Sequence, residues 1–330
     1  MLINLRNALM TGKRLPYDAE VEFLESTGTQ YINTGVILDS TYGIDISFAP
    51  MEGLPGTGIN ERGVFGSSTS GSTHNVLQIH TSSGGVGLWM PGSTRIAVCP
   101  ITTELGILQH WQINLANSGS VLINGTASGS TRPATSTACP YPVYLFARDV
   151  ANSVKNNSYS KMRLYSWTVT DASGNIIQQV IPVRVGTVGY LYDRVSGTLF
   201  GNAGTGDFQY GQDVVPVNFV DGEAYNSSGE IITAQGFSRI DDYLPVIGGH
   251  SVTFNYGGAA NANCVLIVYN SSKTRIDYWS AAYTNERTIT MNAAGAFVKY
   301  SVYDGAKQTA FLRDNTTGEY IMINGKRIVE

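Results

Sequence analysis

Carboxylates come first, because a pair of them is the least machinery that hydrolyses a glycoside. A retaining site needs two carboxyl groups about 5–5.5 Å apart. A strand supplies such a pair when they sit two residues apart, since alternation then points both the same way. "EVEFLES" holds Glu20 and Glu22 in phase but Glu25 out of phase, and "GIDIS" offers Asp45 alone. Glu20 and Glu22 read as a solvated strand face, and the chain reads as a non-enzyme. His74, His80, His110 and His250 are too scattered to compose a Ser-His-Asp arrangement. "GNAGTG" at 201–206 is not followed by a helical pattern, so it is no phosphate cradle. Cys99, Cys139 and Cys264 are odd in number and lack C-x-x-C spacing, which reads as free thiols rather than a zinc site. No cofactor is implied, and calcium stays open.

Tryptophans are the next chemistry to weigh. Sugars are commonly held by an aromatic face against the pyranose C–H face, with amides and hydroxyls fixing the ring hydroxyls. In "HWQINL", Trp111 shares a face with Ile113 and Leu115, opposite His110, Gln112 and Asn114, so it reads as core. Trp167, in phase with Tyr165 and Val169, reads as core too. Trp89 in "GVGLWMPG" is out of phase with Val86, Leu88 and Met90; Trp279 in "TRIDYW" is out of phase with Ile276 and Tyr278. Parity puts Trp89 and Trp279 on polar faces, where they are either rim packing or platforms for a ligand.

The elements that position these residues are strands. Charged residues are only 14% of the 330, against roughly 25% in an average soluble protein. Gly (37) and Tyr (19) are abundant. That balance suits an all-β protein with many turns and a neutral, hydrogen-bonding surface. A net charge of −4 argues against nucleic acid as a partner. No segment approaches the ~20 apolar residues of a membrane span, so no membrane insertion is expected. "YGIDISFAPM" alternates Ile44, Ile46 and Phe48 against Asp45 and Ser47, and "KMRLYSWTVTDASGNIIQQVIPV" reads as strand, turn at Ser173-Gly174-Asn175, strand. A smaller antiparallel sandwich is expected over 217–312, with "CVLIVY" as a central strand and a turn at 270–273. A final hairpin at 313–330 turns at Asn324-Gly325. The opening block "VEFLESTGTQYINTGV" reads as two strands whose exposed face is Thr, Gln and Asn.

Four blocks carry a resemblance: "YDAEVEFLESTGTQYINTGV", "YPVYLFARD", "KMRLYSWTV" and "GYLYDRVSGTLFGNAGTGDFQYG". In this order they resemble the concanavalin A-like lectin/laminin G-like domains of gut bacterial surface proteins and of their phages, Bacteroides-type phages among them. The resemblance covers 17–212 and implies a jelly-roll β-sandwich that binds glycan or protein. "DDYLPVIGGHSVTF" with "VLIVYNSSKTRIDYW" is similar to small sandwich modules at phage fibre ends. The implied role is a virion surface protein, a head or tail fibre or decoration protein. It would be made in the host cytoplasm, act as a homotrimer, and hold other virion proteins and host cell-surface polysaccharide as partners. Laminarinase-type glucanases of the same fold carry E-x-D-x-E on one strand, a pattern this chain lacks. The alternatives are a purely structural virion module and a bacterial surface adhesin.

Residues 1–16 stand apart. Leu2, Leu5, Leu9 and Met10 fall at loose helical spacing, Gly12 can end the helix, and Lys13 and Arg14 follow. So short a segment does not bury its apolar stripe by itself. It reads as an anchor to the particle, and the opening carries no signal-peptide pattern.

Overall fold

The computed structural model describes residues 15–328 apart from 54–60, 70–73, 81–84, 91–93, 101–104, 117–118, 132–138, 156–157, 256–264, 281–285 and 308–309. Leu2, Leu5, Leu9 and Met10 lie outside the described residues. The chain divides into two compact units, Met1–Gly211 and Gln212–Glu330. The protein is an all-β sandwich protein.

Among the described residues of the first unit an 11-stranded sheet faces a 7-stranded one. The larger sheet has at its centre, as neighbours, the strands Ser120–Ile123, Gln109–Asn114, Gly43–Pro50, Lys161–Thr170 and Ile176–Val185. The smaller is built around Pro142–Leu145, Glu61–Ser68, His74–His80 and Gly85–Met90. Between them lies one core drawn from both sheets, including Ile44, Ile46, Phe48, Trp111, Ile113 and Trp167 against Val64, Phe65, Val86, Leu88 and Val143. The rings of Phe65 and Trp167 meet edge-on across it, centroids 5.0 Å apart. Trp111 and Trp167 are both fully buried, as the alternation requires. Tyr165 departs from its expected phase. The pairing of Lys161–Thr170 with Gly43–Pro50 slips between Leu164 and Ser166. One extra residue inverts parity, so Leu164 and Met162, not Tyr165, continue the Trp167 face into the core. Tyr165 instead meets the Phe23 ring edge-on.

The opening block exposes Thr27, Thr29 and Asn33, but much of its polar face is turned inward. Ser26, Gln30 and Thr34 are buried. Gln30 Oε1 accepts from the Thr27 N–H (2.9 Å) and from Ser26 Oγ (3.1 Å), while its Nε2 donates to the Asp207 carbonyl (3.1 Å). The Tyr31 N–H donates to Asn202 Oδ1, and Thr29 Oγ1 to the Thr205 carbonyl. Thr34 Oγ1 donates to the Val143 carbonyl; its own carbonyl accepts from Gln178 Nε2, whose Oε1 accepts from Trp167 Nε1. The Thr, Gln and Asn side chains thus tie the start of the unit to residues 202–207 at its end. Glu20 is also not solvated: it is buried and paired with Arg194 at 2.8 Å. Glu25 pairs with Arg163 at 2.7 Å. Two of the carboxylates weighed for catalysis are thereby occupied by ion pairs.

Among its described residues the second unit packs two 6-stranded sheets. Phe254, Leu312 and Met322 of one meet Leu266, Val268, Val298 and Tyr300 of the other, with Phe254 and Tyr300 ring centroids 5.6 Å apart. The final segment is no separate tail. Leu312–Asp314, Tyr320–Ile323 and Lys326–Ile328 are three strands inside one of these sheets. Its turn forms at Asn324-Gly325, both at positive φ (50° and 69°), the conformation a two-residue hairpin demands.

Candidate functional site

The outward face of the larger sheet in the first unit carries a cleft of about 500 Å3. Its floor follows from strand register. Asp45 pairs with Gln112 on one side and Thr168 on the other, and Gln112 pairs with Leu122, so one rung runs Leu122–Gln112–Asp45–Thr168. The next rung runs Asn114–Gly43–Thr170. Directly opposed residues share a face, and Ile44, Trp111, Ile113, Trp167 and Val169 fill the other face with core. Every outward side chain on these rungs is therefore presented to the cleft. Gly43 admits the Thr170 hydroxyl close over the backbone: a Cβ there would lie 2.5 Å from Thr170 Oγ1. Thr41 closes one end, and the turn residues Asp171, Ala172 and Gly174 the rim.

Asp45 is held at the centre. His110 Nε2 lies 2.9 Å from its Oδ1, and Gln112 Nε2 donates to Oδ2 at 3.1 Å. An ionised carboxylate only accepts, and its two oxygens have about four lone-pair sites. Capacity is left over for a ligand hydroxyl. Asp171 is engaged differently. Asn175, through side chain and backbone, and the Ser173 N–H bind its carboxylate, and these bonds hold it below the ordinary carboxylate range. It stays ionised and structures the rim rather than donating a proton. Among the described residues lining the cleft there is no Lys or Arg, and no aromatic ring.

Neither Trp89 nor Trp279 lines this cleft. Trp89 lies in the strand Gly85–Met90, paired with Val76 and Arg95; its side chain is outside the described residues. Trp279 is half-buried on the core of the second unit, which overturns the polar-face expectation. The reason is register. Trp279 pairs with Leu266, a core residue, and Tyr278 with Ile267 on the opposite face. A slip that sets Val268 opposite Asp277 and Tyr269 opposite Arg275 leaves Ile276 as the extra residue. Ile276 and Trp279 consequently both rest on the core, while Tyr278 is 44% exposed. The Arg287 guanidinium covers the Trp279 ring at 5.2 Å.

A second polar concentration is internal. Asp149 is fully buried, and neither carboxylate oxygen has a hydrogen-bond partner among the described residues; Ser67 Oγ has none either. Burial pushes the Asp149 carboxyl up to about 6, and the Ser153 and Asn152 N–H groups, which approach without hydrogen-bonding geometry, pull it partway back. Phe146, Ala151 and Asn152 nearby all take positive φ (66°, 54° and 65°), an uncommon setting for residues with a Cβ. No group of three or more potential metal ligands occurs among the described residues.

No protein-family model matches the chain, and no curated protein matches it. What the sequence reading missed was the cleft itself. Its only local signal was the alternation of Gln112 and Asn114 against Trp111 and Ile113.

Proposed function

We propose that this chain is a bacteriophage surface protein, a head or tail fibre or decoration protein, that binds host-surface glycan through the cleft around Asp45. The observation that carries the glycan reading is the lining. Thr41, Gln112, Asn114, Ser120, Thr168 and Thr170 offer neutral hydroxyls and amides around one oriented carboxylate. Such groups match sugar hydroxyls, and a shallow site without a stacking ring binds weakly. Copies acting together in a homo-oligomer, a trimer on the strength of the resemblance, supply the avidity. The phage setting rests on the four-block resemblance. No catalytic step is assigned to the cleft.

A second reading, a structural virion module without ligand, is favoured by the opening block, whose Ser26, Gln30 and Thr34 side chains are spent inside the fold. An array of bacterial surface glycans probed with the full chain separates the two. Binding to a subset, lost in Gln112→Ala/Asn114→Ala with melting unchanged, is expected. A blank array supports the structural module.

A further inference from the structure

Resting on the glycan reading, we infer that the cleft selects uncharged sugars and rejects glycans bearing carboxylate, sulfate or phosphate, with Asp45 as the selecting residue. Charge is the argument. Two carboxylates, Asp45 and Asp171, face a cleft whose described lining supplies no Lys or Arg. Recognition of an anionic sugar is achieved elsewhere with Arg or Lys, whose donors pair with the acid. Here an anionic group meets like charge at short range, and like charges in contact weaken binding strongly.

Asp45 is placed to act on a neutral ligand. His110 and Gln112 each take one of its oxygens from the side, so the carboxylate is fixed in orientation across the Gln112–Asp45–Thr168 rung. It does not have to give up rotational freedom when a ligand arrives. Its remaining lone pairs accept from hydroxyls on neighbouring carbons, the donors that a neutral hexose carries. Beside it the Thr170 hydroxyl lies over Gly43, so a hydroxyl rather than an apolar side chain floors the cleft next to the carboxylate. Thr168, Thr170 and Asn114 then reach the ring from either side. A hexuronate or a sulfated sugar presents acceptors and negative charge to this same carboxylate.

The test uses three neutral polymers, a β-1,3-glucan, an α-mannan and a galactan, each beside its C6-oxidised, carboxylated derivative. Binding of the full chain is measured at low and at physiological salt. The expected result is attachment to at least one neutral polymer about tenfold tighter than to its carboxylated partner, a gap that narrows as salt screens the charge. Asp45→Asn should shrink the gap. Thr170→Lys, which leaves Asp45 and its partners in place, should shrink or reverse it if Asp45→Asn fails to fold. Equal or tighter binding of the carboxylated forms by the unmodified protein overturns the charge selection while leaving glycan binding intact. Attachment to none of the six polymers by a chain that binds the bacterial glycan array overturns this inference alone; a blank array as well removes the glycan reading with it.

Discussion

Two regions of the first unit use the same vocabulary of Thr, Gln and Asn to opposite ends. In residues 26–34, Ser26, Gln30 and Thr34 are buried and partnered by one another, by backbone, or by residues near 202–207. On the outward sheet face, Gln112 and Asn114 are exposed, and Gln112 spends one donor on orienting Asp45. Neutral polar residues therefore do not mark a ligand face by type. What separates the regions is partnering: a buried amide must find every partner inside, because an unmet polar group costs about 1–3 kcal/mol, whereas an exposed one keeps its capacity for a ligand. The first arrangement joins the ends of a fold; the second leaves a surface able to bind.

The comparison breaks most visibly along one strand. Trp111→Ala should cost about 3–5 kcal/mol through the cavity it leaves, read as the loss of the first unit's cooperative unfolding transition. An unchanged melting curve would mean that the two faces of this strand have been exchanged. A smaller loss, about 1–3 kcal/mol, is expected for Gln30→Ala, which strips the Thr27 N–H and the Asp207 carbonyl of their partner. Glycan attachment measured below the melting temperature should be untouched, and a loss of attachment in a fully folded Gln30→Ala protein would tie the opening block to the ligand.

Asp149 sharpens the cost of an unmet group. Its folded carboxyl sits near 6, above the ordinary 3.8, so between those values the folded state binds the proton that the unfolded chain releases. Stability from this group is therefore greatest below about 3.8 and falls as pH rises through about 6, the reverse of a salt-bridged carboxylate. The stability difference between the protein and Asp149→Asn, followed by denaturant titration across that window, should change with pH; a constant difference counts against the buried charge. The smallest effect on stability is expected at the cleft, where Gln112→Ala and Asn114→Ala should stay within about 0.5 kcal/mol while abolishing attachment.

Local pattern alone settled a good deal. Period-two alternation places Trp111 and Ile113 inside and His110, Gln112 and Asn114 outside, because side-chain direction in a strand depends on the residue's own neighbours. The turns at Ser173-Gly174-Asn175 and Asn324-Gly325 were equally legible, since Gly174, Asn324 and Gly325 adopt the positive φ that those residue types tolerate. Tertiary structure decided the rest. Asp45 meets Gln112 and Thr168 only through sheet register, and Gln30 meets Asp207 only when the unit closes on itself. The bulges at Tyr165 and Ile276 invert parity within single strands, which is why Tyr165 leaves the core face that Leu164 takes and Trp279 packs where alternation had put Tyr278. A strand's alternation is a local property of the backbone, whereas its register, its bulges and the face it buries are set by the strands beside it.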